Sequence, residues 1–135
     1  MKQVAELESK IFPDPWCIST LDSMCASLTE KIFIATEDSL NIVAYCCTQS
    51  VLDEGEILRI AVAPSMRRKG VGRVLLSEII NIMKNNGCKM IFLEVRSKNI
   101  PARSLYESSG FKKISERKDY YAKGEHATIY NLLLD

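Results

Sequence analysis

The stretch Arg67-Arg68-Lys69-Gly70-Val71-Gly72-Arg73 sets two glycines among four cationic side chains. Glycine lets a backbone approach a ligand closely, and successive amides can converge on one anion. A helix starting here would add unpaired N–H groups and a partial positive charge. That chemistry suits a diphosphate. The segment contains neither the Gly-x-x-x-x-Gly-Lys-Ser/Thr loop nor the Gly-x-Gly-x-x-Gly dinucleotide fingerprint. Two glycines at i and i+2 therefore leave a second reading open, a basic surface turn with glycine at a helix start.

Other residues are candidates by type and place. Glu94 lies inside the apolar run Met90 to Val95, where a carboxylate is unusual. Its neighbours Leu93 and Val95 would point to the opposite face of a strand. It is either a general base or a sheet residue reaching an open face. Tyr106 reads by itself as a core or boundary aromatic, and Asn99 as a helix cap. Glu54 and Glu56 read by themselves as solvated charges of a hairpin. His126 reads as a surface residue at a strand start. No cysteine has a motif for nucleophilic catalysis.

These groups need elements to hold them. Val4, Leu7 and Ile11 recur at helical spacing over residues 2–11, and Pro13 and Pro15 break that helix. Ser19 is expected to cap a second helix, with Asp22 three positions on and Leu21, Met24, Cys25 and Leu28 as its buried side. Strands are expected at 31–35, 42–48 and 56–62, with turns at Asp38 to Asn41 and Leu52 to Gly55. Val71, Leu75, Ile79, Ile82 and Met83 mark the face of a long helix that Gly87 stops. A largely apolar strand follows at 89–95, then a short helix at 99–109 ending near Gly110. Two further strands begin at Phe111 and His126. Cys46 and Cys47 are adjacent on a strand, so one of the two is expected to face the core. The order implies an α/β protein with a mixed, mostly antiparallel sheet of about six strands flanked by helices.

The 135 residues suit one domain, residues 1–135, and 47% apolar content is enough for a packed core. A formal charge of +1 gives no overall signature of a nucleic-acid binder, and no stacking aromatics interleave with the basic loop. Five cysteines, an odd number without a Cys-x-x-Cys pair, argue for thiols in a reducing compartment. A single histidine excludes a histidine-rich metal centre, and no metal is expected. No apolar run approaches membrane-spanning length, and the start MKQVAELESK has no signal core. The expectation is a cytoplasmic protein, a monomer or weak homodimer, with no membrane or nucleic-acid role.

Arg67-x-x-Gly70-x-Gly72 resembles the Arg/Gln-x-x-Gly-x-Gly/Ala signature of the GNAT superfamily of N-acetyltransferases. The likeness includes Leu58-Arg59-Ile60-Ala61-Val62-Ala63-Pro64, Leu93-Glu94-Val95-Arg96 with Asn99, Ala102 through Phe111, and Arg117-Lys118-Asp119-Tyr120-Tyr121. Block by block it is most similar to the ribosomal-protein-alanine N-acetyltransferases, the RimI type. The resemblance implies acetyl-CoA as co-substrate, its pyrophosphate held by the amides of Arg67, Arg68, Lys69, Gly70, Val71, Gly72 and Arg73. It implies a bulged strand whose Ile60, Ala61 and Val62 pair through their main chain with the pantetheine arm, which Asn99 also contacts. It makes Glu94 the general base, acting through water, and Tyr106 the general acid for the thiolate. A phenol with a reference pKa of about 10 is a neutral donor at pH 7. Tyr120 and Tyr121 resemble the pair bordering the peptide side, with Glu54 as a further acceptor-side candidate.

The resemblance also implies a strand before the first helix, which is not found here: either that edge strand is missing, another segment fills its place, or the start codon was assigned late. The chain ends soon after its last strand, leaving little room for a C-terminal extension. Three functions fit: acetylation of a protein N-terminus such as that of a ribosomal protein, acetylation of lysine or a polyamine, and a non-catalytic acetyl-CoA sensor. Intact Glu94 and Tyr106 favour an enzyme over the sensor, and direct transfer over an acyl-cysteine route.

Overall fold

The computed structural model describes residues 1–38 and 40–135. Helix α1 spans Lys2–Ile11 and α2 Ile18–Ala26. Strands β1 (Glu30–Thr36), β2 (Ile42–Val51) and β3 (Glu54–Val62) follow as a meander. Then come α3 (Val71–Asn85), β4 (Met90–Arg96), α4 (Ile100–Ser108), β5 (Lys112–Ala122) and β6 (Glu125–Leu133). The element types match the sequence expectation, and most boundaries move by a few residues. Helix α2 differs more. Its N-cap is Cys17 rather than Ser19, and it ends before Leu28, which is fully exposed. Cys25 is exposed too. Ser39, within the expected turn at 38–41, lies outside the described residues. On either side of it, the Asp38 carboxylate accepts the Leu40 and Asn41 amides at 2.9 and 3.0 Å.

The strands form one sheet in the order β1-β2-β3-β4-β6-β5. Every neighbouring pair is antiparallel except β3 with β4. That parallel pair runs only from Glu54↔Met90 to Ile57↔Leu93. Beyond it, β4 stays with β6 as far as Arg96, while β3 stays with β2 as far as Val62. The two central strands thus part. A register shift between Cys47 and Thr48 leaves Leu58 as an extra residue in β3 at the point of parting. A bulge bends a strand and increases its twist, which turns β3 away from β4.

Helices cover both faces. Leu75, Leu76, Ile79 and Met83 of α3 and Tyr106 of α4 pack on Cys46, Ile57, Ile91, Leu93, Val95 and Tyr130. Val4 and Leu7 of α1 and Leu21 and Met24 of α2 pack on Tyr45, Cys47 and Ala61 on the other face. Cys46 and Cys47 are therefore both completely buried. The expectation that one of them faces the core is corrected, because this sheet has a core on each side.

Which side of α3 carries the stability is open to measurement. Leu76 is fully buried and Val74 is 64% exposed. Leu76→Ala should lower the unfolding free energy by about 2–5 kcal/mol. Val74→Ala should stay within about 0.5 kcal/mol. Urea denaturation of both variants reads the difference.

Candidate active site

The glycine segment occupies the passage from β3 to α3. After a short 3-10 turn at Pro64–Met66, Arg68 and Gly70 both take positive φ, 64° and 80°. Left-handed residues alternating with right-handed ones turn successive amides toward one side, making a concave anion nest. Gly70 is the N-cap of α3 and supplies no side chain to its amides. The first helical bond there runs from Val74 N–H to the Gly70 carbonyl at 3.1 Å, so the amides before Val74 are left for another acceptor. A Cβ on Gly72 would stand 3.3 Å from Val62 and 3.5 Å from Leu105. Glycine there lets the helix start close onto β3 and α4. Arg67 Nε donates to the Val62 carbonyl at 3.2 Å, so this cation braces its own turn. Arg73 reaches Ser108 at 3.5 Å, while Lys69 is exposed.

Below this loop lies the opening between β3 and β4. Ile60, Ala61 and Val62 pair with Cys46, Tyr45 and Ala44 on β2 and have no β4 partner among the described residues. Their other backbone edge faces the opening. Glu94 stands on β4 just beyond the last β3 pair, on the face opposite Leu93 and Val95. Its side chain is 24% exposed and lies 3.5 Å from the Arg117 guanidinium. Tyr106 comes from the other face. It is buried, edge-on to Phe111 at 5.9 Å and tilted against Tyr130 at 6.3 Å. Helix α4 is tied to the sheet by Arg103, which donates to the Tyr130 hydroxyl at 2.9 Å and to the Ser97 carbonyl at 3.0 Å. Burial, with smaller contributions from the negative charge of ionised Cys46 and Tyr121, pushes the Tyr106 hydroxyl well above the ordinary phenol range. The two candidate proton-transfer groups thus lie on opposite faces of the sheet.

Asn99 caps α4, its carbonyl oxygen accepting the Ala102 amide at 3.2 Å. Tyr120 and Tyr121 are stacked edge-on at 5.0 Å, each under an arginine: Arg117 over Tyr120 and Arg96 over Tyr121. Burial and the negative charge of Glu94 raise the Tyr121 pKa, which places that ring near the carboxylate. Glu54 sits exposed at the start of β3, opposite Met90. Glu56 shares the face of Glu94 two residues closer to it, and burial together with the Glu94 charge raises its pKa. The geometry therefore puts Glu56, rather than Glu54, beside the opening. His126 accepts the Asp119 amide at 2.9 Å and serves the β5–β6 hairpin. The sequence reading gave Arg117 no role of its own, because nothing along the chain marks it as the partner of Glu94. A groove of about 480 Å³ between β1 and α3 is lined by Phe33, Val74, Ile79 and Gly70 among others; it reaches the glycine loop but touches neither Glu94 nor Tyr106.

Residues 1–111 match the model of the acetyltransferase (GNAT) family. The chain belongs to that family. It is 34% identical to the [ribosomal protein bS18]-alanine N-acetyltransferase of Salmonella typhimurium, over 92% of this chain and 84% of the relative. It is 33% identical to the Haemophilus ducreyi protein of the same name, over 96% and 90%. The crystal structure of the Escherichia coli ribosomal-protein-S18-alanine N-acetyltransferase superposes with a TM-score of 0.89 at 33% identity, covering 99% of this chain and 87% of that one. Within the GNAT enzymes this chain falls in that ribosomal-protein-alanine branch. It is an acetyl-CoA-dependent acyltransferase.

The residues present fit acetyl-CoA. The free amides at the start of α3 suit a pyrophosphate, and the edge of Ile60 to Val62, which has no β4 partner and has only its Val62 carbonyl taken by Arg67, suits an amide-bearing arm. Nothing lies within 4 Å of a Cβ placed on Gly70, so an alanine there acts through backbone strain. Gly70→Ala should cost about 1–2 kcal/mol of left-handed strain and weaken acetyl-CoA binding about tenfold. Lys69→Ala should change it less than about threefold. Isothermal titration separates the two, and the reverse ranking would assign the grip to side-chain charge.

Proposed function

We propose that this enzyme acetylates the N-terminal α-amine of a protein, foremost a ribosomal protein, in the cytoplasm, with residues 1–135 as one catalytic domain. The observation that carries the proposal is the placement of Glu94 at the parting of β3 and β4, with Tyr120–Tyr121 beside it and Tyr106 behind. The relatives named for ribosomal protein bS18 support the acceptor. Free Cys17 and Cys25 thiols at the surface suit a reducing compartment.

Amide formation requires a neutral amine and a proton for the departing sulfur. Bound acetyl-CoA supplies the acetyl thioester. Glu94 takes the proton from the acceptor ammonium, whose own pKa is about 8 at a peptide terminus, directly or through a water. Arg117, 3.5 Å away, orients the carboxylate. Tyr106 holds its proton on the phenolic oxygen, because burial disfavours the charged form, and that proton is available to the thiolate. Tyr120 and Tyr121 give an extended tail both apolar area and hydroxyl partners.

Initial rates against short peptides with different first residues, with blocked-terminus lysine peptides and a polyamine as controls, test the acceptor. Free N-termini should be modified and the controls left unmodified; turnover of the polyamine alone would refute the assignment. Glu94→Gln and Tyr106→Phe should each lower kcat about 10²–10⁴-fold and leave acetyl-CoA affinity within about threefold. The pH profile provides a further check. A raised phenol pKa keeps the acid form present through its ordinary value of about 10. Activity should therefore show no fall below that pH that Tyr106→Phe abolishes; observing one would show that the phenol titrates in that range and that burial does not hold its proton.

A further inference from the structure

Arg59 stands on β3 directly after the bulged Leu58 and before Ile60. Its guanidinium lies between the rings of Phe12 and Trp16, 4.3 and 4.2 Å from their centroids. It donates to the Glu8 carboxylate and to the Asp14 carbonyl, the latter at 3.1 Å, and pairs with the Asp14 carboxylate at 3.4 Å. Glu8 is completely buried. Its Oε2 also accepts the Trp16 amide at 2.8 Å, and its Oε1 accepts the Tyr45 hydroxyl at 2.5 Å. The connection between α1 and α2 contains Pro13 and Pro15 and is neither helix nor strand, yet Phe12, Asp14 and Trp16 all converge on one cation.

This connection lies on the face from which Glu94 projects. Arg59 pairs with Cys47 next to Ile60, so the segment gathered on its guanidinium lies beside the stretch of β3 that borders the opening. Burial chiefly raises the Tyr121 pKa, and the Asp14 charge adds slightly to it. We infer that Arg59 is a positioning residue that holds Phe12 to Trp16 as one wall of the acceptor channel, facing Tyr120 and Tyr121. The inference rests on the reading above that the acceptor enters from the Glu94 face. A buried ion pair is a weak source of net stability, because desolvation offsets its attraction. A planar guanidinium with five donors and two stacking faces instead fixes orientation. Here it fixes an irregular segment that has no ladder of its own.

Trp16 is the single tryptophan, so its fluorescence reports this segment alone. Two variants test the role. Arg59→Lys keeps the charge and loses the fork and flat stack. Arg59→Met combined with Glu8→Met removes the pair without leaving a buried charge unpaired. In both, Trp16 emission should shift to the red and become more accessible to acrylamide. The acceptor KM should rise about tenfold or more, while kcat and the acetyl-CoA KM stay within about twofold. A loosened Trp16 with an unchanged acceptor KM would show that the segment is no wall. Acceptor and acetyl-CoA constants that rise together would show a general structural role. Both results overturn the inference. If the wild-type enzyme turns over only a polyamine, the protein-acceptor reading falls, and the same split measured with the polyamine decides the role of Arg59 independently.

Discussion

A sheet whose two central strands separate leaves backbone donors and acceptors without partners in the middle of the molecule. Such groups are costly to bury unless something pairs with them. Here β3 and β4 share four paired positions and then diverge. The extra residue at Leu58 drives the bend, and pairing of β3 with β2 and of β4 with β6 continues on either side. The sheet is therefore held open and remains well anchored. The remaining features of the site follow from that opening. It exposes the edge of Ile60 to Val62 and brings the start of α3 over one end, with candidate groups on both faces of the sheet.

The charges around the opening form a graded set. Glu94 is paired with Arg117, while Glu56 on the same face is pushed toward its neutral form by burial and by Glu94. Arg96 and Arg117 are also stacked on Tyr121 and Tyr120, so Tyr120 and Glu94 share the guanidinium of Arg117. A residue that fixes a tyrosine here also fixes the electrostatics of Glu94.

Much of this was legible in the sequence. Helical spacing and turn residues located α1, α3, α4 and all the strands, and the Asn99 cap was read correctly. Resemblance to the family, rather than spacing, singled out Glu94 and Tyr106. What failed has physical causes. Leu28 looked like a core residue because its spacing from Leu21 and Met24 continued the helical face, but α2 ends at Ala26. The one-sided reading of Cys46 and Cys47 assumed a single core. Glu8 was given no role, although Val4, Leu7 and Ile11 place it on the buried side of α1. Spacing showed the position, but its partners Arg59 and Tyr45 lie 51 and 37 residues away. Such partners are not visible until the sheet is assembled.

The basic loop makes the same point about what a charge signifies. Four cations drew attention to Arg67 through Arg73, yet Arg67 bonds to its own strand and Arg73 leans toward α4. The features that point at a ligand are the positive φ angles of Arg68 and Gly70 and the uncapped start of α3. A mobile ammonium gives long-range attraction that salt screens, whereas fixed amides need no reorganisation when an anion arrives. Arg68 reaches its left-handed conformation at a steric cost that glycine avoids. Since glycine at position 68 would avoid that cost, the arginine is better explained by what its side chain adds beyond the nest than by the turn itself. The loop therefore assigns holding to its backbone and attraction to its side chains.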